Sequence, residues 1–123
     1  MNEKKYSKDH EWIFYKDEIA TIGITNYAQE SLGDIVFIEL PKTGKLVKLG
    51  DQVGVVESVK AASDLFSPVS GEIINVNNEL QNSPQLLNTD PENLGWYMKI
   101  KLENTDELNK LMNFDQYKEF FKS

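Results

Sequence analysis

The chain contains no cysteine and no arginine. The first absence removes disulfides, thiolate nucleophiles and cysteine metal ligands, so any sulfur chemistry has to arrive on a cofactor. The second leaves all 13 basic residues as lysines and removes the bidentate fork on which phosphate and carboxylate recognition usually relies. Histidine is scarce as well, since His10 is the single one. No stretch approaches the roughly 18 apolar residues of a membrane span. The opening segment from Met1 to Asp9 is charged, without an apolar core or an arginine-rich bias, so neither a signal nor a transit peptide is expected and the cytoplasm is the expected location.

The charge that is present is mostly negative, 20 acidic against 13 basic residues for a net charge of -7. Nucleic acid and anionic membranes are therefore poor partners. The chain's 123 residues suit one domain, which at that length buries about two thirds of the surface exposed when unfolded. We expect one domain over 1–123, with a β core over about 6–102 and a C-terminal helical segment over about 105–121.

β-branched and aromatic runs at Glu11 to Tyr15 and Ile19 to Ile24, separated by Lys16-Asp17-Glu18, predict a hairpin. Asn26 with Gln29 three residues later resembles a capping box, and Gly33 is a stop, which predicts a short helix over Tyr27 to Leu32. Strand patterning returns over Ile35 to Leu40 and again from Val53 to Val76, punctuated by turn residues including Pro68 and Gly71. Glu79 to Leu94 reads as a loop with one helical turn near Pro84 to Leu87. Trp96, Met98, Ile100 and Leu102 alternate with Tyr97, Lys99 and Lys101 and predict a half-buried strand. Beyond Asn104 or Thr105 as cap, Leu108, Leu111, Met112, Phe114, Tyr117, Phe120 and Phe121 form the apolar stripe of a packed helix. Many short strands with helices only at the margins make the fold mainly β, a small sandwich or barrel. Trp12 and Trp96 are expected in its core.

One lysine has an unusual setting. Lys60 lies inside Val55-Val-Glu-Ser-Val-Lys-Ala-Ala-Ser-Asp64, among small and apolar neighbours. It can be read as a strand lysine whose stem covers apolar surface, as a Schiff-base amine with a pKa lowered by burial, or as a tether acylated by another enzyme. Ser58, Ala61, Ala62 and Ser63 leave room for a modifying enzyme. Glu57 and Asp64 would raise a lysine pKa, which argues against the nucleophile. His10, with no clustered metal ligands and no nucleophile beside it, is assigned to the fold.

The run from Val56 to Glu72, which contains Val59-Lys-Ala61, resembles the lipoylation segment of the H proteins of the glycine cleavage system. So do Lys8-Asp-His-Glu-Trp12, Ile22-Gly-Ile-Thr-Asn-Tyr-Ala-Gln29, Gly33-Asp-Ile-Val-Phe-Ile-Glu-Leu-Pro41, and Gly95-Trp96 with Lys99. The blocks cover nearly the whole chain in the family's order. The resemblance implies a barrel-sandwich hybrid of antiparallel sheets with a short internal helix and a C-terminal helix. It also implies lipoate in amide linkage to Lys60 at a hairpin turn. The implied role is that of a non-catalytic carrier, which takes an aminomethyl group from the pyridoxal-phosphate glycine decarboxylase to aminomethyltransferase and tetrahydrofolate. Reoxidation then falls to the FAD-dependent dihydrolipoyl dehydrogenase.

By position in the matching blocks, Glu57 resembles the acidic residue read by lipoylating enzymes, and Glu11 and Asp64 resemble the acids that line the arm's groove. No metal site is expected, and a monomer is, because a carrier must leave each partner in turn. The chain departs from the pattern at Asp9, at Asn26-Tyr27 and at Glu30-Ser31, which bears on groove chemistry. A biotin carrier would usually set its lysine between methionines, where Val59 and Ala61 stand here. A 2-oxoacid dehydrogenase lipoyl domain would bring an acidic residue directly before the lysine and Ala/Pro-rich linkers.

Overall fold

The computed structural model describes residues 3–121; Met1, Asn2, Lys122 and Ser123, which the one-domain expectation includes, lie outside them. Among the described residues nine strands follow in order: β1 (Glu3–Tyr6), β2 (Glu11–Lys16), β3 (Ile19–Ile24), β4 (Ile35–Glu39), β5 (Leu46–Val47), β6 (Gln52–Ser58), β7 (Ala62–Phe66), β8 (Gly71–Val76) and β9 (Met98–Leu102). Helix α1 (Asn26–Leu32) follows β3, single turns α2 (Glu79–Asn82) and α3 (Leu86–Thr89) lie between β8 and β9, and α4 (Phe114–Phe121) is the last described element. The strands form a six-stranded sheet in the order β1-β2-β3-β9-β8-β5 and a three-stranded sheet in the order β4-β6-β7. Every pairing is antiparallel. The two sheets make an open sandwich and do not close into a barrel.

Alternation of apolar residues puts Ile13, Ile22, Ile38, Val56, Ile73 and Ile100 into one core, each 1% exposed or less. At ~25 cal/mol per Å² of apolar surface, side chains of this size contribute about 2 kcal/mol each when buried. A second cluster of Tyr6, Trp12 and Tyr117 anchors the C-terminal helix to β1 and β2.

The β2–β3 hairpin turns through Asp17 and Glu18, both at positive φ (52° and 68°). That conformation is the one a two-residue turn needs to match strand twist. Helix α1 is capped one residue earlier than the sequence suggested. Thr25 Oγ1 accepts from Ala28 N at 3.2 Å, while Asn26 Oδ1 accepts from Gln29 Nε2 at 2.9 Å. The correction is physical: Thr25, not Asn26, has extended backbone (φ -80°, ψ 165°) from which a side chain can reach back to the first turn.

Two further expectations change. Tyr97 is fully buried, because it precedes β9 and its N–H bonds Ile22 O at 2.8 Å, so it lies outside the strand's alternation. The C-terminal stripe is not one helix. Thr105–Lys110 is a 3-10 segment capped by Asn104, then Met112 pairs with Tyr6 through two 2.8 Å backbone bonds. Only after that does α4 begin. A reciprocal capping box holds its start, Gln116 N donating to Asn113 Oδ1 at 2.8 Å and Asn113 N to Gln116 Oε1 at 2.9 Å. Phe114 and Phe120 consequently face outward, while Tyr117 is buried.

Candidate functional site

Lys60 sits at the tip of the β6–β7 hairpin. The turn is closed by Ser58 N donating to Ala61 O at 2.8 Å. Ser58 Oγ accepts from both Lys60 N (3.1 Å) and Ala61 N (3.2 Å), so one hydroxyl satisfies the two amide donors of an exposed turn. Val59 N donates to Asp34 O at 2.9 Å, which ties the tip to the start of β4. Asn88 fixes the same start, donating to Gly33 O and accepting from Ile35 N.

The lysine stem lies across Gly33. A Cβ placed on that glycine would stand 3.1 Å from Lys60 Cε, and its φ of 81° already disfavours any other residue. Lys60 is exposed, and among the described residues no carboxylate pairs with its ammonium, whereas Lys4, Lys48 and Lys118 each have one. Glu57 and Asp64 flank it in sequence but not as partners. A flexible primary amine at a rigid, uncluttered tip fits covalent loading of an arm.

Beside the hairpin lies a groove of about 180 Å³ between α1, the start of β2 and the β6–β7 pair. Glu11, Tyr27, Ser31, Val56, Ser63 and Asp64 are among its lining residues. Glu11 forms its floor and is 3% exposed. Burial pushes its carboxyl up to about 8, opposed by the hydroxyl bond from Ser7 and reinforced by the charge of Asp9. Ser7 Oγ donates to Glu11 Oε1 at 2.9 Å and accepts from Glu11 N at 3.2 Å. The Tyr97 hydroxyl is buried close by, without a well-formed hydrogen bond. Desolvation first, then the Glu11 charge, drives its pKa well above the ordinary phenol value.

Asp64 borders the same groove, but it pairs opposite Val55 and its Oδ1 accepts from Gln52 Nε2 at 3.1 Å. Its neighbour Leu65 points to the core. Glu11 and Asp64 thus meet one groove from different positions, floor and rim. Glu57 is directly opposite Phe37 on one side and Ala62 on the other, on the outer face of the small sheet. His10, at φ 64°, packs against Tyr27, Tyr117 and Phe120 and its Nδ1 is 2.7 Å from the Tyr117 hydroxyl, contacts that belong to the fold.

Sequence reasoning passed over Ser7, Tyr97 and Asn88. Ser7, four residues before Glu11, carried a weak local signal in a strand context; Tyr97 and Asn88 reach the site only through long-range packing. No group of three or more histidine, aspartate or glutamate side chains arranged to hold a metal occurs among the described residues.

An open antiparallel sandwich presenting one lysine at a hairpin tip, beside a groove with a buried acid, is the architecture of a swinging-arm carrier domain. Comparison with known proteins agrees. A family model described as glycine cleavage H-protein matches residues 4–123. The chain is 50% identical over 120 residues to the glycine cleavage system H protein of Xanthobacter autotrophicus, covering 98% of this chain and 96% of the relative. It is 48% identical over 120 residues to that of Thermotoga maritima, covering 98% and 97%. A crystal structure of a glycine cleavage system H protein from Mycobacterium marinum superposes with a TM-score of 0.88 at 35% identity, covering 97% of this chain and 96% of that one. The chain belongs to the glycine cleavage H-protein family, and the family supports a lipoyl carrier role in glycine cleavage. No helix among the described residues is long and apolar enough to cross a membrane.

Proposed function

We propose that the chain is a non-catalytic carrier lipoylated on Lys60, acting as a cytoplasmic monomer between glycine decarboxylase, aminomethyltransferase and dihydrolipoyl dehydrogenase. The observation that carries this reading is the exposed Lys60, with no carboxylate partner among the described residues, at a hairpin tip braced by Ser58 and Asp34. Attached there, a lipoyl group would supply the disulfide and dithiol chemistry that accepts, delivers and is reoxidised after each aminomethyl cargo. The protein's own residues present the arm, shelter its end and release it.

The groove favours an ammonium-bearing cargo. Glu11, with its pKa raised to about 8 by burial, keeps its proton near neutrality. An ammonium brought within hydrogen-bond reach favours the carboxylate, so docking would draw the proton off Glu11 and leave a charge-assisted pair out of water. Asp64 on the rim adds negative charge without that burial. Glu57, facing outward at the hairpin, is the residue we assign to recognition by lipoylating enzymes.

Intact mass tests the reading. Protein from a lipoylation-competent host should gain about 188 Da per chain, the increment of one lipoyl amide, with peptide mapping placing it on Lys60. Full glycine oxidation by the unmodified chain, or the mass on another lysine, would sink it.

A further inference from the structure

The small sheet carries a β-bulge beside the tether. Ile35 pairs with Ser58 and Phe37 with Glu57, so two steps along β4 match one step along β6 and Val36 is the extra residue. Without the bulge Phe37 would share the buried side of Ile35. With it, Ile35 stays 4% exposed while Val36 and Phe37 are turned out at 55% and 46%. Bulges re-aim side chains next to functional sites. Here the re-aimed pair lies beside the hairpin tip, where Val59 is 68% exposed. Leu46 and Leu94, also exposed, lie in other parts of the chain, and isolated apolar residues need no explanation.

The rim of this face is acidic. Register puts Glu39 opposite Val55, Glu57 opposite Phe37, and Asp64 across from Val55 on β7. No lysine lies in β4, β6 or β7.

We infer that the bulged face of β4, Val36 and Phe37 with Val59, ringed by Glu39, Glu57 and Asp64, is the docking surface for the enzyme that acylates Lys60. That partner would offer an apolar recess edged with lysine or arginine. The inference rests on Lys60 being the tether. It commits to the acylating enzyme because of where the reacting atoms lie. Acylation forms an amide between Lys60 Nζ and the carbonyl carbon of an activated acyl group and breaks that carbon's bond to its leaving group, which departs with the bonding pair. The ammonium gives one proton to solvent to free the amine, and the nitrogen gives up a second, to the leaving group or solvent, as the amide forms. Its active site must close over the tip itself, within reach of Val59 and Phe37. Enzymes that meet the far end of the arm have no such need. Apolar centres supply most of an interface's affinity, while complementary charges around them speed encounter.

The test is steady-state acylation of the apo chain by a lipoate ligase supplied with lipoate and ATP, followed by intact mass, with thermal melting as control. Phe37→Ser and Val36→Ser should each raise the KM for the chain about tenfold, as loss of an interface anchor does, leaving kcat near the unaltered value and melting little changed. Glu39→Lys, which leaves the apolar core untouched and so decides the matter if Phe37→Ser melts early, should raise KM and weaken its dependence on salt. KM values within twofold of the unaltered chain for all three variants overturn the inference while leaving the carrier reading intact. Normal acylation of the variants, with impaired glycine turnover once lipoylated, also overturns it. Failure of the unaltered chain to accept lipoate at Lys60 instead removes the carrier reading on which it rests.

Discussion

The hairpin tip and the groove floor treat an ionisable group in opposite ways. At the tip, Lys60 stands in water, and what surrounds it is backbone: a serine that satisfies two amides and a glycine that lets its stem lie flat. At the floor, Glu11 is removed from water and held by Ser7 beneath Tyr97, so that burial and not a counter-charge governs its protonation. On the proposed reading the tip serves access by other proteins, and the floor discriminates between a charged and an uncharged visitor. Chemistry delivered by an arm permits this division, because the reacting end is not confined to the place where the arm is anchored.

Substitution at the tip has the largest expected effect. Lys60→Arg keeps the charge but offers no acylable amine, so the lipoyl mass and all glycine oxidation in a reconstituted system should vanish while the melting temperature stays within a degree or so of the unaltered chain, about the effect of a surface change. A fall of many degrees would show that the tip supports the fold, and the contrast with the floor would be lost.

At the floor the expected signature is pH dependence. Because Glu11 has a pKa raised from 4.5 to about 8, the native state holds this proton more tightly than the unfolded chain. Its contribution to stability is fully present below the unfolded value, is lost as pH rises towards the folded one, and levels off above about 8. Glu11→Gln abolishes that slope. Between pH 5 and pH 9 the stability of the unaltered chain relative to Glu11→Gln should drop by a few kcal/mol, on the order set by ~1.4 kcal/mol per pKa unit, as read from urea unfolding. Parallel pH profiles would mean that Glu11 is already ionised on the floor.

A cap links α1, one wall of the groove, to the C-terminal helix. Thr25 Oγ1 accepts from Ala28 N and lies 2.7 Å from the Tyr117 hydroxyl, so Thr25→Ala should cost about 1–2 kcal/mol in chemical denaturation, the range for a lost N-cap. An unchanged midpoint would show that the contact adds nothing to stability. The smallest effect is expected at Ser58→Ala. The turn is exposed and water can replace the hydroxyl, so stability should move by about 0.5 kcal/mol or less. The acylation rate at Lys60 should nevertheless fall a few-fold as the tip loosens, and a stability loss with unchanged acylation would reverse the assignment of this serine.

Much of this was legible in the residues. The hairpin of β2 and β3, the strands from Ile35 to Val76 and the helix ending at Gly33 follow from alternation and turn chemistry, which are local properties. The setting of Lys60 was legible for the same reason: small neighbours and flanking acids lie in one run. The cap of α1 was misplaced by one residue, because Asn26 and Thr25 are both competent and only backbone conformation chooses between them. The C-terminal stripe was taken as continuous although Met112 leaves it to pair with Tyr6, 106 positions earlier by the two residue numbers; the Asn113 and Gln116 capping signal was there to be read.

The sequence by itself determined the mainly β architecture, the family and the setting of Lys60, since each is written in contiguous segments whose period, turns and motifs act within a few residues. Only the tertiary structure decided which acid sits on the groove floor and which on its rim, that Tyr97 is buried beside Glu11, and that a bulge turns Val36 and Phe37 outward next to Lys60. Those outcomes depend on strand register and on desolvation by distant segments, and neither quantity exists until the chain has folded.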